Sequence, residues 1–327
     1  MSIQQIFAKG QPIWESLYRL EIRPEPFESE LFQSAPLRRL KHLHHFGAGA
    51  FISPVRHSRF EHTVGVWALA KHFFPQWLEL HAAAILHDIG HLPFSHSIER
   101  SLGLDHHAVT EQAILGEPIA SILRRHGLSE QRTVDLLNQD SPLTHRSDLI
   151  GIDHLDSFLR DTQAAGKNSL DPAELVRRLR FRDHYAETDE ETAMHLLNAV
   201  AGDNLIFLSP YFLAADALLG QASAVHLDAH PELRVHIPSM TDYQLTVQLE
   251  NSPSAAVRDM MRVLLYEPHR IVPCGDEVPD ALRADIRKVY MKQPLVGGVP
   301  IRELNPEARA RLEELEALKG SHYFQVI

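Results

Sequence analysis

One cysteine, Cys274, stands in 327 residues, which excludes an intramolecular disulfide and a thiolate cluster for zinc. Basic residues are also short, 32 against 43 acidic ones, for a formal charge of −11. A general nucleic-acid or anionic-membrane binder carries the opposite excess. No stretch reaches the roughly 18 uninterrupted apolar residues of a membrane span, and MSIQQIFAKGQPIWESLYRL lacks the basic head and apolar core of a secretion signal. Internal repeats and low-complexity tracts are missing too. These absences point to a globular protein in a reducing, cytoplasmic setting, with neither general nucleic-acid nor membrane partners expected. A small anion remains open as a substrate, because a local group of cations or a metal outweighs the global sign.

Histidine is the abundant exception, at 22 residues. In HAAAILHDIGHLPFSHSIE (81–99) an apolar run delivers the adjacent pair His87-Asp88. His91 follows four residues later, on the same face if the helix lasts that long. Gly90 and Pro93 loosen or end that helix, since glycine is a poor helix former and proline lacks a backbone donor. Past the break come His96 and Glu99. Titratable groups are costly to bury unpaired, so this density behind an apolar run suits a compact metal-and-proton site.

Upstream, Ser58 is a plausible cap for a helix that carries His62 on one inward stripe with Val66 and Phe73. A single inward histidine is ordinarily a hydrogen-bonded core residue, but His87-Asp88 supplies partners. Downstream, SDLIGIDHLDSFLRD (147–161) is a strongly amphipathic helix bearing Asp153 and Asp156. An acidic residue on so apolar a helix either faces water or has a cation waiting for it. His62, His87, Asp88 and Asp153 together offer two imidazoles and two carboxylates. Such a set suits one divalent ion (Mn, Fe, Ni, Co, Zn or Mg) without choosing among them. A metal-bound water has a lowered pKa, and the metal polarises a phosphoryl oxygen. His91, His96, Glu99 and His106 would then form an outer ring of proton carriers. Arg59, one turn before His62, is placed to hold a phosphate oxygen.

Four segments, RFEHTVGV (59–66), ILHDIGHLPFSH (85–96), HHAVTE (106–111) and GIDHLDSFLRD (151–161), resemble the HD-domain phosphohydrolase superfamily. Within it the likeness is to the deoxynucleotide triphosphohydrolase branch, which includes bacterial dGTPases and the mammalian SAM-and-HD-domain enzyme. The resemblance implies metal ligation by His62, His87, Asp88 and Asp153, with manganese among the candidate ions. It also implies phosphate or proton handling by His91, His96 and His106 with Glu99 in support, and substrate contacts at Arg59 and Asp161. His45 or Phe46 stands where the branch tends to carry a glutamine that judges the sugar, and His154 replaces a lysine. Ser157 replaces a tyrosine, His107 a glutamate, and between 190 and 240 only Tyr211 offers a triphosphate or sugar contact. His45 and His154 are therefore included among the substrate-facing positions. The expected activity is hydrolysis of a (deoxy)nucleoside triphosphate to nucleoside and tripolyphosphate. A hydrolase of nucleoside monophosphates or other phosphoesters, and a nucleotide-binding regulatory module without turnover, are the alternatives. A homo-oligomer is expected.

The implied fold is mainly α: a lead segment over 1–35, a helical HD core over 36–165, a helical extension over 166–240 and a small mixed α/β region over 241–327. Local expectations fill this in. LYRLEIRP (17–24) alternates like a strand, and Pro36 opens a helix through PLRRLKHLHHF with Arg38, Arg39 and Lys41 on a solvated face. GAGAFISP (47–54) reads as a loop that something approaches closely. A helix over 105–126 is divided at Pro118, and NQDSPLTH (138–145) is a connection. Residues 175–194 read as an exposed connection, with phosphate binding by an arginine as the minority option. Helices return after 190, with Ser209-Pro210 as cap and first position. HPELRVHIPSM (230–240) looks strand-like and 241–266 helical. The tail mixes short strands (KVYM, YFQVI) with the helix NPEARARLEELEAL.

Overall fold

The lead segment folds back on itself before the first helix begins: Ile13–Glu15 pairs antiparallel with Leu20–Ile22. The computed structural model describes residues 11–275 and 281–327, so the first ten residues of that segment lie outside it. The chain is mainly helical, as expected, and among the described residues three small sheets accompany the helices. Among the described residues no single helix is long and apolar enough to cross a membrane. The pair Glu190–Phe207 and Pro210–Ala229 meets that length and composition only jointly, across a 48° bend.

Helix starts follow their caps. Ser58 opens Arg59–Phe73 through a capping box with Glu61, Asp105 opens His106–Leu115, and Thr241 with Gln244 opens Asp242–Glu250. In each, a side-chain oxygen satisfies a backbone N–H that the first turn leaves unpaired. Among the described residues three apolar clusters result, of which two matter for the site. One joins Arg59–Phe73, Leu78–Leu86 and Ile152–Ala164 around the fully buried Trp67. The other joins Pro210–Ala229 and Ala255–Tyr266 to the stretch around Leu92, Phe94 and Ile98. The polar cavity described below opens between them.

Several local expectations need correction. The helix from Pro36 is short: Ala35–Arg39 gives way to one 3₁₀ turn, Leu40–His42, and the chain then extends so that His44 bridges Ser58. Residues 230–240 form 3₁₀ turns, Pro231–Ser239, because Pro231 and Pro238 cannot donate to a strand ladder. KVYM is not a strand but part of a connection that returns to the cavity. Residues 175–194 are more ordered than a connection. Pro172–Arg178 is helical, and Arg180–Arg182 pairs with Tyr185–Glu187. Arg180 and Arg182 close on the buried Glu187, which accounts for two of the arginines without phosphate. YFQVI does lie in a strand, Gly320–Val326, at the centre of a three-stranded antiparallel sheet.

Candidate active site

His62 projects from the second turn of Arg59–Phe73, His87 from the C-terminus of Leu78–Leu86, and Asp153 from the first turn of Ile152–Ala164. Their ends meet. His87 Nε2 lies 3.1 Å from His62 Nε2, and Asp153 Oδ1 lies 3.2 Å from His62 Nε2 and 3.7 Å from His87 Nε2. Asp88 closes the group, its oxygens 3.4 Å from His87 Nε2 and 3.9 Å from His62 Nε2.

The other ring nitrogens show what these ends require. His87 Nδ1 donates to the carbonyl of Ala84 at 2.9 Å, and His62 Nδ1 donates to the Asp156 carboxylate at 2.8 Å. Both Nε2 atoms are thereby left as acceptors, facing each other and two carboxylates. Two lone pairs at 3.1 Å repel unless a positive charge lies between them. The protein's own field asks for that charge. Burial alone would favour a neutral His62, yet hydrogen bonds to Asp153 and Asp156 outweigh it and push the ring up to about 10. Asp88 stays ionised although burial disfavours it, held down by His87, His91 and Arg59. A divalent cation answers the same demand with more charge, so this donor set fits a metal.

The backing of His62 is a buried network. Asp156, fully buried, also accepts from Tyr18 Oη at 2.7 Å and from Arg160 Nε and Nη2 at 2.9 Å each, and Arg160 reaches Glu15. Burial pushes the Asp156 carboxyl up, but Arg160 and His62 hold it well below the usual carboxylate range. The cation that an acidic residue on this helix requires is thus Arg160 together with His62. Gly65 makes the arrangement sterically feasible. A Cβ there would run into the Asp156 and Arg160 side chains, so the mid-helix glycine, a cost of about 0.5–1 kcal/mol, leaves room for that ion pair beside His62.

The outer histidines form a second group. The helix ends at His87, earlier than the spacing suggested, and turns occupy most of 87–98. His91 therefore does not share a helical face with His87. It turns back to put Nε2 3.3 Å from Asp88 Oδ1. Glu99 fixes the other two: Oε2 accepts from His96 Nδ1 at 2.7 Å, and Oε1 from His106 Nδ1 at 2.6 Å. The His91 and His106 rings stack at 4.1 Å. His96 is 58% exposed at its side chain, and burial followed by the nearby Arg59 pushes His91 well down. Arg59 donates to Asp88 Oδ2 at 2.9 Å and to Ser95 Oγ at 2.8 Å. Phe94 and Ser95 both take positive φ, 56° and 55°. Such strain in residues with side chains concentrates at functional turns.

His87, Asp88, Asp153, Arg59, His91, His96 and His106 line one cavity of about 730 Å³, within the range of small-ligand sites. Its wall also carries His107, His154 and Asp203, and the connection after Ile286 adds Lys288, Tyr290 and Lys292. His154 packs against Tyr290 at 5.1 Å, and burial together with the Lys292 charge, against the opposing pull of Asp153, lowers it to about 4. His45 and Asp161, two expected substrate contacts, face each other at 3.3 Å. Asp161 is 1% exposed.

Two anchors escaped sequence reasoning. Arg39, on a supposedly solvated face, donates to the carbonyls of His91, Ile89 and Met240. Asp242 accepts the backbone N–H groups of His44 and Phe94 at 2.6 Å each. No local spacing signals either partnership. Tyr290 and Lys292 had a weak signal, aromatic and cationic residues together in KVYMK.

A family model described as "HD domain" matches residues 59–161, the stretch that contributes all four residues of the metal-facing group. Residues 59–161 are an HD domain. A metal-dependent phosphohydrolase of Cordyceps militaris, cns2, is 31% identical over 175 residues, and Bacillus subtilis YdhJ is 32% identical over 163. The chain spans about half the length of these relatives, 48% and 47%, using 50% and 47% of its own. Solved structures extend the likeness beyond the HD domain. A phosphohydrolase from Bacteroides thetaiotaomicron superposes with a TM-score of 0.73 at 15% identity, covering 96% of this chain and 98% of that one. A hypothetical protein from Aquifex aeolicus gives 0.67 at 20% identity, covering 96% and 95%. At these identities they establish the fold: an HD domain elaborated by further helices and a small α/β part.

Proposed function

We propose that this protein is a metal-dependent nucleotide phosphohydrolase, with a (deoxy)nucleoside triphosphate, cleaved to nucleoside and tripolyphosphate, as its leading substrate. The observation that carries the reading is the facing pair of acceptor imidazoles, His62 and His87, among Asp88 and Asp153, in one cavity with Arg59 and the Glu99-held histidines. The name of the Cordyceps relative supports the reaction class. His62, His87, Asp88 and Asp153 would hold the ion, which when bound supplies Lewis-acid polarisation of a phosphoryl oxygen and a water of lowered pKa. Arg59, steadied by Asp88 and Ser95, orients a phosphate oxygen. Glu99 holds the protons of His96 and His106 at Nδ1, which leaves each Nε2 free to take or give a proton. His91, kept neutral by burial and Arg59, accepts rather than repels. Lys288, Lys292 and Tyr290 add donors along the opposite wall, and His154 packs edge-on against Tyr290 there. A cytoplasmic homo-oligomer is the setting attached to this reading, and sedimentation of the purified chain tests the assembly.

One observation favours a second reading, a monophosphate or other phosphoester substrate: Asp161 and His45 face each other rather than open space, and Arg180 and Arg182 are tied to Glu187. A nucleotide panel with added Mn²⁺ separates the two. Tripolyphosphate as product supports the leading reading and orthophosphate the second. No product from any nucleotide or phosphoester at full metal occupancy would sink both.

A further inference from the structure

The His62 ring touches two imidazoles: His87, and His45 at 4.7 Å. His45 stacks on His57 at 4.8 Å and 24°, and both turn Nε2 towards Asp161. Oδ2 lies 3.3 Å from His45 and Oδ1 3.0 Å from His57. All three side chains are buried, and Asp203, also buried, sets its carboxyl against that of Asp161. None of the four belongs to the metal-facing group described above.

The distances are short but the directions are wrong for hydrogen bonds. Among the described residues, His45 Nδ1, both nitrogens of His57, both oxygens of Asp161 and Oδ1 of Asp203 have no hydrogen-bond partner. A buried polar atom without one costs about 1–3 kcal/mol, and folds seldom leave several together without a reason. Donors that converge on an ion behave in this way, since each lone pair points at the common centre and not at its neighbour. Ligands about 2.1 Å from one ion, on adjacent corners of its coordination shell, lie about 3 Å apart. The two contacts here are 3.0 and 3.3 Å, and one ligand atom from each of His45, His57 and Asp161 lies within 4.8 Å of the others. A water could meet some of these atoms, and a proton on Asp203, whose carboxyl burial and Asp161 push well up, relieves one charge, but neither explains why His45, His57 and Asp161 converge without hydrogen bonding to one another.

We propose that His45, His57 and Asp161, with Asp203 as a further carboxylate, bind a second divalent transition-metal ion beside the HD-domain site. Two imidazoles favour Mn, Fe, Co, Ni or Zn over Mg. His45, Asp161 and Asp203 line the cavity, so a ligand entering it meets this ion's side as well as the first.

Equilibrium dialysis of the full-length, metal-stripped protein against Co²⁺, with bound cobalt counted per chain, tests the site. His57→Phe keeps a ring against His45 and Phe46 but removes both nitrogens, and it is expected to bind one ion fewer than the unaltered protein. The His87→Ala, Asp88→Ala double variant is expected to keep the ion that His57→Phe loses. An unaltered protein holding a single ion, or His57→Phe holding as many as the unaltered protein, overturns the proposal. Should His57→Phe fail to fold, the near-isosteric Asp203→Asn decides. A tenfold or greater weakening of one binding step supports the site, and an unchanged isotherm overturns it. The count needs no turnover, so an inactive protein with both ions sustains this site while sinking the hydrolase reading.

Discussion

Imidazoles on the two sides of Asp88 are held in opposite ways. His62 is gripped from behind by Asp156, which is itself fixed by Arg160 and Tyr18, with Glu15 behind them, all within the first apolar core. His96 and His106 hang from one carboxylate, Glu99, where the cavity reaches solvent. The deep arrangement fixes a position to within a hydrogen bond at every joint. The outer one fixes only which nitrogen carries the proton and leaves the ring free to lose or gain charge. A site that must hold a cation still while protons move beside it needs both kinds of support.

Breaking the comparison at its centre gives the largest effect. Asp88→Ala removes a metal-facing carboxylate and the partner of Arg59, and turnover should fall below detection with loss of the ion held by His62 and His87. Elemental analysis beside an assay checks this, and a variant that keeps both ion and rate would remove Asp88 from the site. His96→Ala should cut the rate by roughly 10²–10⁴-fold while sparing the metal. Metal loss in that variant would mean that the two groups are not separately supported. Asp156→Asn keeps shape but weakens the grip on His62, so metal affinity should drop by about 10–100-fold. Isothermal titration with Mn²⁺ reads it, and unchanged affinity would make the buried network a matter of folding alone.

The smallest effect lies on the outer wall. Burial first, and then the Lys292 ammonium, lower His145 to about 4, against an ordinary histidine value of about 6.5. The folded state thus binds fewer protons there than the unfolded chain. Stability from this group is complete above about pH 6.5 and is lost as pH falls through about 4. The expected loss is about 1–2 kcal/mol after solvent screening. Unfolding free energies from urea titrations should fall by that much more between pH 7 and 4 for wild type than for His145→Asn, and equal falls would dismiss the contribution.

Much of the deep group was legible in the sequence because its signals are local. An HD pair behind an apolar run, a histidine on an inward stripe and a carboxylate on an amphipathic helix each show in a few residues. Ser58 likewise announced its helix. What stayed hidden depends on partners far along the chain. Asp242 serves His44 and Phe94 across 198 and 148 residues, and Arg39 holds carbonyls near His91 and at Met240. His57 drew no attention, because nothing near it in sequence reveals that Asp161 and His45 will meet it. Gly90 and Pro93 signalled that the helix would break, but not that it would end as early as His87. Gly90 there packs against the backbone of Thr110 and donates to its hydroxyl, a contact that only the folded chain supplies.

Gly65 gives this last point a genetic form. Glycine and alanine codons differ by one nucleotide, so Gly65→Ala is always a single step away for this gene. The change leaves RFEHTV, HD and every ligand letter in place, and it even improves helix propensity. Yet the added methyl would meet the Asp156 carboxylate and the Arg160 guanidinium, displacing the pair that grips His62 from behind. A lineage that took this step would keep the written signature of the site while losing its geometry. Its genomes would go on spelling out a site that its cells no longer made.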